Sequence, residues 1–346
     1  MPLKIVRNDI VKVKADIIVN TANPRPVVGG GTDKAVYDAA GRDELLKYRK
    51  EIGDIDPGHI AVTPALALNA RYIIHTVGPV WEGGEHSELE ILSDCYRISL
   101  IRADELEAES IAFPLISTGV YGFPKDKALT TAVSVISEFL MTHDMEVYLV
   151  VFDRKSFMVS EDLMHDVDEY ISDNYVAEKI SEEYETSMRR PEGRRRKRSD
   201  SAQGLMESSL MDTSSILVNE TITSYSIDSF ISRKEKTFQQ KLLELIDSSG
   251  KKDPEVYRKA NMDRKLFSKI RSNVNYQPKK NTAIALSISL ELSEEQMKDL
   301  LMRAGYAISV SSVSDQIIMY FVSRRKYNIN DINVVLFEHG QPILGS

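Results

Sequence analysis

Three short segments hold the side chains and main-chain amides that could do chemistry in this sequence. The first is Arg7-Asn8-Asp9-Ile10, read as lying just before a strand. The second is Val19-Asn20-Thr21-Ala22-Asn23, followed by Gly29-Gly30-Gly31-Thr32-Asp33 at the opening of a helix. The third is Ile116-Ser117-Thr118-Gly119-Val120-Tyr121-Gly122-Phe123-Pro124, where a strand end runs into another helix. Glycines let a backbone approach a ligand closely, and the first turn of a helix favours anions. In an open α/β sheet, ligands bind outside the carboxyl ends of the strands. Two such loops in one domain therefore suggest a diphosphate ligand, whereas either loop alone is as readily a tight turn.

Other phosphate and metal motifs are absent from the sequence. Gly29–Lys34 lacks the Gly-Lys-Ser/Thr of a Walker A loop, and neither loop fits G-x-G-x-x-G after a first strand. His59, His75, His86, His143 and His165 lie far apart, with no i, i+4 pair, so no metal site is expected. They read as surface or structural histidines. The single cysteine, Cys95, excludes a disulfide scaffold and a Cys-rich zinc module.

These loops must be positioned by an alternation of strands and helices. Asp16–Asn20, His59–Thr63, Arg71–Val77, Ile111–Ile116 and Glu146–Phe152 are short, β-branched runs and read as strands. Ser87–Glu107 places Leu89, Leu92, Tyr96, Leu100 and Ala103 on one helical face. Lys125–His143 does the same with Leu129, Val133, Ile136 and Leu140, and Pro124 precedes it. The alternation predicts an α/β layered fold with a largely parallel, buried sheet.

The chain has 346 residues, enough for about two domains. Hydrophobic residues make up 42% and charged residues 28%, which excludes a wholly disordered or fibrous chain. The net charge of −8 argues against a general polyanion-coating protein. The amino terminus has no apolar signal core, and no stretch approaches a membrane-spanning length, so a cytoplasmic location is expected. Residues 161–185 carry ten acidic side chains and one Lys, whereas 189–198 carry seven basic ones and one Glu. Residues 1–173 read as the α/β domain and 174–226 as a charged, Ser-rich linker. Residues 227–346 read as a smaller all-α domain. The basic run 189–198 is either a solvated linker or a weak phosphate or nucleic-acid attractor.

Residues 19–41 (VNTANPRPVVGGGTDKAVYDAAG) resemble the macro-domain signature. RNDI (7–10), GHIAVTPALALNARYIIHTVGPVW (58–81) and FPLISTGVYGFP (113–124) are similar to the other motifs of that family, in the same order. The likeness spans about residues 1–172, and the GHIAVTP and HTVGPVW segments resemble the MacroD-type branch of ADP-ribose hydrolases. It implies a three-layer α/β/α domain with a mixed, largely parallel sheet, with ADP-ribose as ligand or product and no cofactor. It also implies roles. Asp9 accepts from the adenine amino group, with Ile10 nearby. Phe152 borders the adenine or is a plain core residue. Ser117, Thr118, Gly119, Val120, Tyr121 and Gly122 cradle the diphosphate. Asn20 and Asn23 face the distal ribose under Gly29, Gly30 and Gly31, and Tyr121 packs nearby. Asn23 and Asp33 are the expected catalytic pair. Asp33 activates or positions water, unless the substrate's own phosphate is the base, and it also suits the cap of helix Lys34–Ala40. Val28, Lys34 and Tyr37 depart from the family pattern and bear on turnover more than on binding.

The activity so implied is hydrolysis of mono-ADP-ribose from acidic side chains, or deacylation of O-acyl-ADP-ribose. The alternatives are a non-catalytic ADP-ribose reader and an ADP-ribose-responsive DNA-binding regulator. The last rests on residues 251–282, which hold ten Lys/Arg against three Asp/Glu. They resemble Cro/repressor-type helix-turn-helix proteins, with Arg264, Lys265, Ser268, Lys269 and Arg271 as candidate DNA contacts. A solvated basic face used for protein contacts is the plain alternative. Helices are expected over Pro254–Asn261, Asp263–Asn273, Asn281–Leu290, Ser293–Ala304 and Ser314–Lys326, after one carrying Phe230, Phe238, Leu242, Leu245 and Ile246. Asp331–Phe337 reads as a final helix or a docking strand.

Overall fold

The computed structural model describes residues 2–151, Val167 and residues 235–345. The expected linker, its charge runs, Phe152 and Phe230 lie outside the described residues. Strands β1 (Leu3–Arg7), β2 (Ile17–Thr21), β3 (Ile60–Pro64), β4 (Tyr72–Thr76), β5 (Ser110–Pro114) and β6 (Glu146–Val151) form one sheet in the order β1-β6-β5-β2-β4-β3. Every pairing is parallel except β3 on β4, so the sheet is mixed and largely parallel, as expected.

The period of two along the strands supplies both layers. Ile17 and Val19 face a core completed by helices α3 (Glu88–Glu105) and α4 (Lys125–Leu140). Ile18, Ile73 and Ala112 face the other side, under α1 (Gly31–Ala40) and α2 (Arg42–Ile52).

Three sequence expectations change here. Arg7 is itself the last residue of a strand, β1, and Asn8-Asp9-Ile10 leads from it into a 3-10 turn over Ile10–Lys12. Helix α2 was not anticipated, because its sequence is mostly charged and only Leu45 and Arg49 are buried. Leu89 is 43% exposed. The first turn of α3 is taken instead by Glu88, whose carboxylate turns inward to accept main-chain N–H groups.

Residues 238–338 form a helical region: α5 (Phe238–Ser249), α6 (Asp253–Lys259), α7 (Arg264–Ser272), α8 (Lys280–Ser289), α9 (Glu294–Arg303), α10 (Val313–Ser323) and α11 (Ile329–Glu338). Its core includes Phe238, Leu242, Ile284, Leu300 and Tyr320. Asp263 caps α7 through Leu266 N–H at 2.8 Å, Ser293 and Gln296 make a capping box, and Gly305 stands after α9 at φ +79°. The open question over 331–337 resolves as helix.

This region packs on the open edge of β1 and on α4. Asn261 accepts from Leu3 N–H at 2.7 Å and donates to the Leu3 carbonyl at 2.9 Å. Arg258 donates to the Met141 carbonyl at 2.8 Å, and Asn330 donates to Ser137 Oγ at 2.6 Å.

Candidate functional site

The carboxyl ends of β2, β5 and β6 open onto a cavity of about 450 Å³. It is lined by Thr21 at the end of β2 and Ala22 and Asn23 after it, by Gly29–Asp33, by Gly78 after β4, and by Ser117–Tyr121 after β5. Pro114 at the end of β5 and Leu115 after it, Lys125, the first residue of α4, and Val150 and Val151 of β6 complete the lining.

Two loops shape this space. In the first, Gly31 takes φ +57°, a left-handed conformation that glycine adopts without steric cost. Gly30 is the N-cap of α1 and has no side chain to occupy the first-turn amides. Asp33 is the third residue of α1 rather than its cap. It is 3% exposed, and its Oδ2 reaches back to accept Gly29 N–H at 2.6 Å. Its Oδ1 accepts from Asn20 Nδ2 at 2.6 Å. Burial pushes the carboxyl up from its ordinary value, and the Asn20 and Gly29 hydrogen bonds and the Arg49 charge partly offset this. Lys34 is tied to Asp38 on the exposed side of α1 and is not among the lining residues. Val28 packs against the core under α1.

The second loop is held at its start by Tyr96. Its hydroxyl donates to the Pro114 carbonyl and accepts from Ile116 N–H at 3.0 Å. Ser117 sits at φ +63°, and the N–H groups of Gly122 and Phe123 close the loop onto Gly119 and Ser117. From behind, Trp81 packs edge-on against Phe123 with centroids 4.7 Å apart, and the main-chain N–H of Trp81 donates to the Tyr121 carbonyl at 2.9 Å. The residue 82–87 turn beyond Trp81 is anchored by Glu88. Burial alone would raise that carboxyl, but the N–H groups of Gly84, His86 and Glu82 together hold it down to about 2.

Of the sequence-predicted residues, Asn23, Asp33, Gly29, Gly30, Gly31, Ser117, Thr118, Gly119, Val120 and Tyr121 meet around one cavity. Asn23 Oδ1 accepts from Arg25 N–H at 3.3 Å. Asn20, Gly122, Asp9 and Ile10 are not among the lining residues. Asn20 is fully buried and turned toward Asp33 and His75. Asp9 caps the 3-10 turn through Val11 N–H at 3.2 Å, and Asn8 N–H bonds the Val151 carbonyl at 3.2 Å, which places this turn beside the end of β6.

Behind Asp33 lies a polar cluster that the sequence did not announce. His75, Arg49 and Tyr37 are each 2% exposed or less. Burial, then the Arg49 charge, pushes the His75 imidazole down to about 3. Burial and Asp33 push the Tyr37 hydroxyl up to about 12. Arg49 donates to the Gly53 carbonyl at 2.7 Å and the Asn23 carbonyl at 3.4 Å, bracing the first loop. Strand alternation could have flagged His75, which shares a face with the buried Ile73. Nothing in the pattern of α2 marks Arg49.

The candidate DNA contacts Arg264, Lys265, Ser268, Lys269 and Arg271 are exposed on α7, while Phe267 and Ile270 turn inward. Arg271 pairs with Asp253 at 2.6 Å. Among the described residues, no helix is long and apolar enough to cross a membrane.

Comparison with known proteins places this architecture. The family model of the Macro domain matches residues 19–132. An O-acetyl-ADP-ribose deacetylase of Salmonella gallinarum is 43% identical over 159 residues, which cover 44% of this chain and 89% of that protein. The chain belongs to the macro domain family. An O-acetyl-ADP-ribose deacetylase of Escherichia coli strain K12 is 43% identical over 167 residues, 47% of this chain and 94% of that protein. The solved Oceanobacillus iheyensis macrodomain with ADP is 37% identical, with a TM-score of 0.43, over 44% of this chain and 85% of that one. The helical region of residues 238–338 lies outside the residues that the family model matches.

Proposed function

We propose that the macro domain binds ADP-ribose in the cavity and hydrolyses an acyl ester on its distal ribose. The substrate is O-acyl-ADP-ribose or a protein mono-ADP-ribosylated on an acidic side chain. The observation that carries this reading is Asp33. Its buried carboxylate lines the cavity between two strand-end loops suited to phosphates, with both oxygens already oriented by Asn20 and Gly29. Its remaining lone pairs can orient a water, or take a proton from it, as the water oxygen bonds to the acyl carbon. The bond between the acyl carbon and the ribose oxygen then breaks, and that oxygen leaves as a hydroxyl by taking up the proton drawn from the water, passed on by Asp33. Asn23 would position the distal ribose, and the 117–122 loop the diphosphate. Asp9 and Ile10, beside the end of β6, would meet the adenine. The curated relatives named O-acetyl-ADP-ribose deacetylase support the substrate class.

The test uses the parent chain and Asp33→Ala with O-acetyl-ADP-ribose and with a protein mono-ADP-ribosylated on Glu, alongside calorimetric binding of ADP-ribose. The parent should release product, and the variant should bind ADP-ribose but turn over at least about 100-fold more slowly. Tight binding with no release by the parent would leave a reader instead of a hydrolase.

A second reading, duplex-DNA contact through α7, is favoured by the exposure of Arg264, Lys265, Ser268 and Lys269 on one helix. Its signature is an affinity that falls steeply with salt, and a flat response excludes backbone contact.

A further inference from the structure

Asn20 and His75 stand opposite each other in the β2–β4 ladder, on the face covered by α1. Asn20 Nδ2 donates to Asp33 Oδ1 at 2.6 Å and lies 3.1 Å from His75 Nδ1. An amide nitrogen has two hydrogens and nothing with which to accept, so His75 Nδ1 is the acceptor. The ring proton then sits on Nε2, which lies 3.0 Å from Thr63 Oγ1. A continuous chain results, running from Thr63 on β3 through His75, Asn20 and Asp33 to the Gly29 amide.

We propose that His75 is a positioning residue for Asp33: its Nδ1 lone pair fixes the Asn20 amide so that one N–H points at Asp33 Oδ1. This rests on the reading of Asp33 as the catalytic carboxylate. Two acceptors, one on His75 and one on Asp33, select the same orientation of the Asn20 amide. A flipped amide would set its oxygen against both. The observed orientation persists although Asn20 Oδ1 is buried with no hydrogen-bond partner among the described residues. The two bonds on the nitrogen side therefore decide it. The charged and titratable groups around the imidazole are Arg49 on α2, Tyr37 on α1 at a ring separation of 6.3 Å, and Asp33, one amide removed. With its imidazole held down to about 3, His75 keeps the accepting lone pair throughout the neutral range.

The geometry makes an unusual demand on replacements. Asn at position 75 can put an oxygen near the place of Nδ1, and Gln puts one near Nε2. Phe offers neither. With O-acetyl-ADP-ribose, His75→Phe and His75→Gln should lose roughly 10- to 100-fold in kcat, His75→Asn should stay within about threefold of the parent, and KM should move little in all three. A second readout needs no turnover. The Asp33 carboxyl is titrated by carbon NMR, its resonance assigned by its loss in Asp33→Asn. Its pKa should rise in the Phe and Gln variants, which lose the oriented Asn20 donor, and stay in place in the Asn variant. A third readout needs no variant: nitrogen NMR of the parent's histidine rings should show His75 as the Nε2–H tautomer from pH 5 to 7. If the parent hydrolyses nothing, the proposed function fails, and the carboxyl titration still decides the role of His75. A ring carrying its proton on Nδ1 would overturn the proposal. So would an Asp33 carboxyl unmoved in the Gln and Phe variants. If Phe does not fold, the contrast between Asn and Gln carries the decision.

Discussion

Replacing Asn261 should loosen the whole unit, because this one side chain completes the edge of the macro domain's sheet. Among the described residues β1 is an outer strand, and no strand lies beside the outward N–H and carbonyl of Leu3. Asn261 supplies what a strand would, at 2.7 Å and 2.9 Å, and also donates to the Leu344 carbonyl at 3.4 Å. It is 6% exposed and Leu3 is 3% exposed, so water cannot replace the lost partners without opening the contact. Removing both strand bonds leaves a buried donor and a buried acceptor, and costs about 2–4 kcal/mol. Asn261 also sits at φ +52°, where Asn and Gly are comfortable and Ala is strained by about 1 kcal/mol. Asn261→Gly therefore reads the hydrogen bonds, and Asn261→Ala reads bonds plus strain. Urea unfolding followed by circular dichroism should show a midpoint lowered by about 1 M for Gly, and by more for Ala, at an m-value of about 2–3 kcal/mol per M. If both variants stay within about 0.5 kcal/mol of the parent, the docked helical region is not sealing β1, and the reasoning fails.

Two further perturbations test the walls of the site. A Cβ at Gly78 would lie 2.1 Å from Ser117 Oγ and 2.7 Å from Ile116 Cγ2. Gly78→Ala should therefore displace the second loop and weaken ADP-ribose binding by about tenfold, or about 1.4 kcal/mol, measured by calorimetry; unchanged affinity would mean the 117–122 loop does not hold the ligand. Glu88 has a folded value near 2 against an ordinary 4.5. A depressed carboxyl stabilises the fold above its unfolded value, and that contribution is lost as pH falls from 4.5 toward 2. Glu88→Gln should thus be less stable than the parent at pH 6, and the gap should close by pH 2. A gap that persists at pH 2 would show that packing, not charge, sets the role of Glu88.

The strands and long helices were legible because their apolar periods are set by the two faces of a buried sheet. The glycine loops were legible because few residue types permit their backbone. Asp33 was legible as a carboxylate on a helix opening, but not its reach back to the Gly29 amide. β1 was missed because its five residues lie against the start of the chain with no turn signal before them. Helix α2 was missed because its one buried polar residue, Arg49, looks like every other charge along Arg42–Ile52. Only tertiary neighbours distinguish it. Leu89 was misplaced for the converse reason: helical spacing assigns it inward, but Glu88 has the main-chain partners to take that turn. The Asn261 clamp joins residues 258 apart in sequence, a distance no local pattern spans.

A buried carboxylate beside a cavity proposed to hold an anion needs its charge answered locally, because burial disfavours the charged form. Around Asp33 the answer comes from three groups: the Asn20 amide, the Gly29 N–H and the Arg49 guanidinium. Arg49 also donates to the Asn23 carbonyl, so the cation that steadies Asp33 fixes the loop bearing the other expected catalytic residue. The Ser117–Tyr121 loop and Lys125 line the same cavity, and that loop is the proposed seat of the diphosphate. The two charges are thereby handled by separate parts of the fold, the carboxylate by buried groups under α1 and the proposed ligand by main-chain loops at the strand ends. Lys34, which departs from the family pattern, enters neither arrangement because Asp38 holds it on the outer side of the helix. Lys34 thus lies outside the lining of the cavity, and the proposed turnover rests on the buried pair of Asn20 and Asp33.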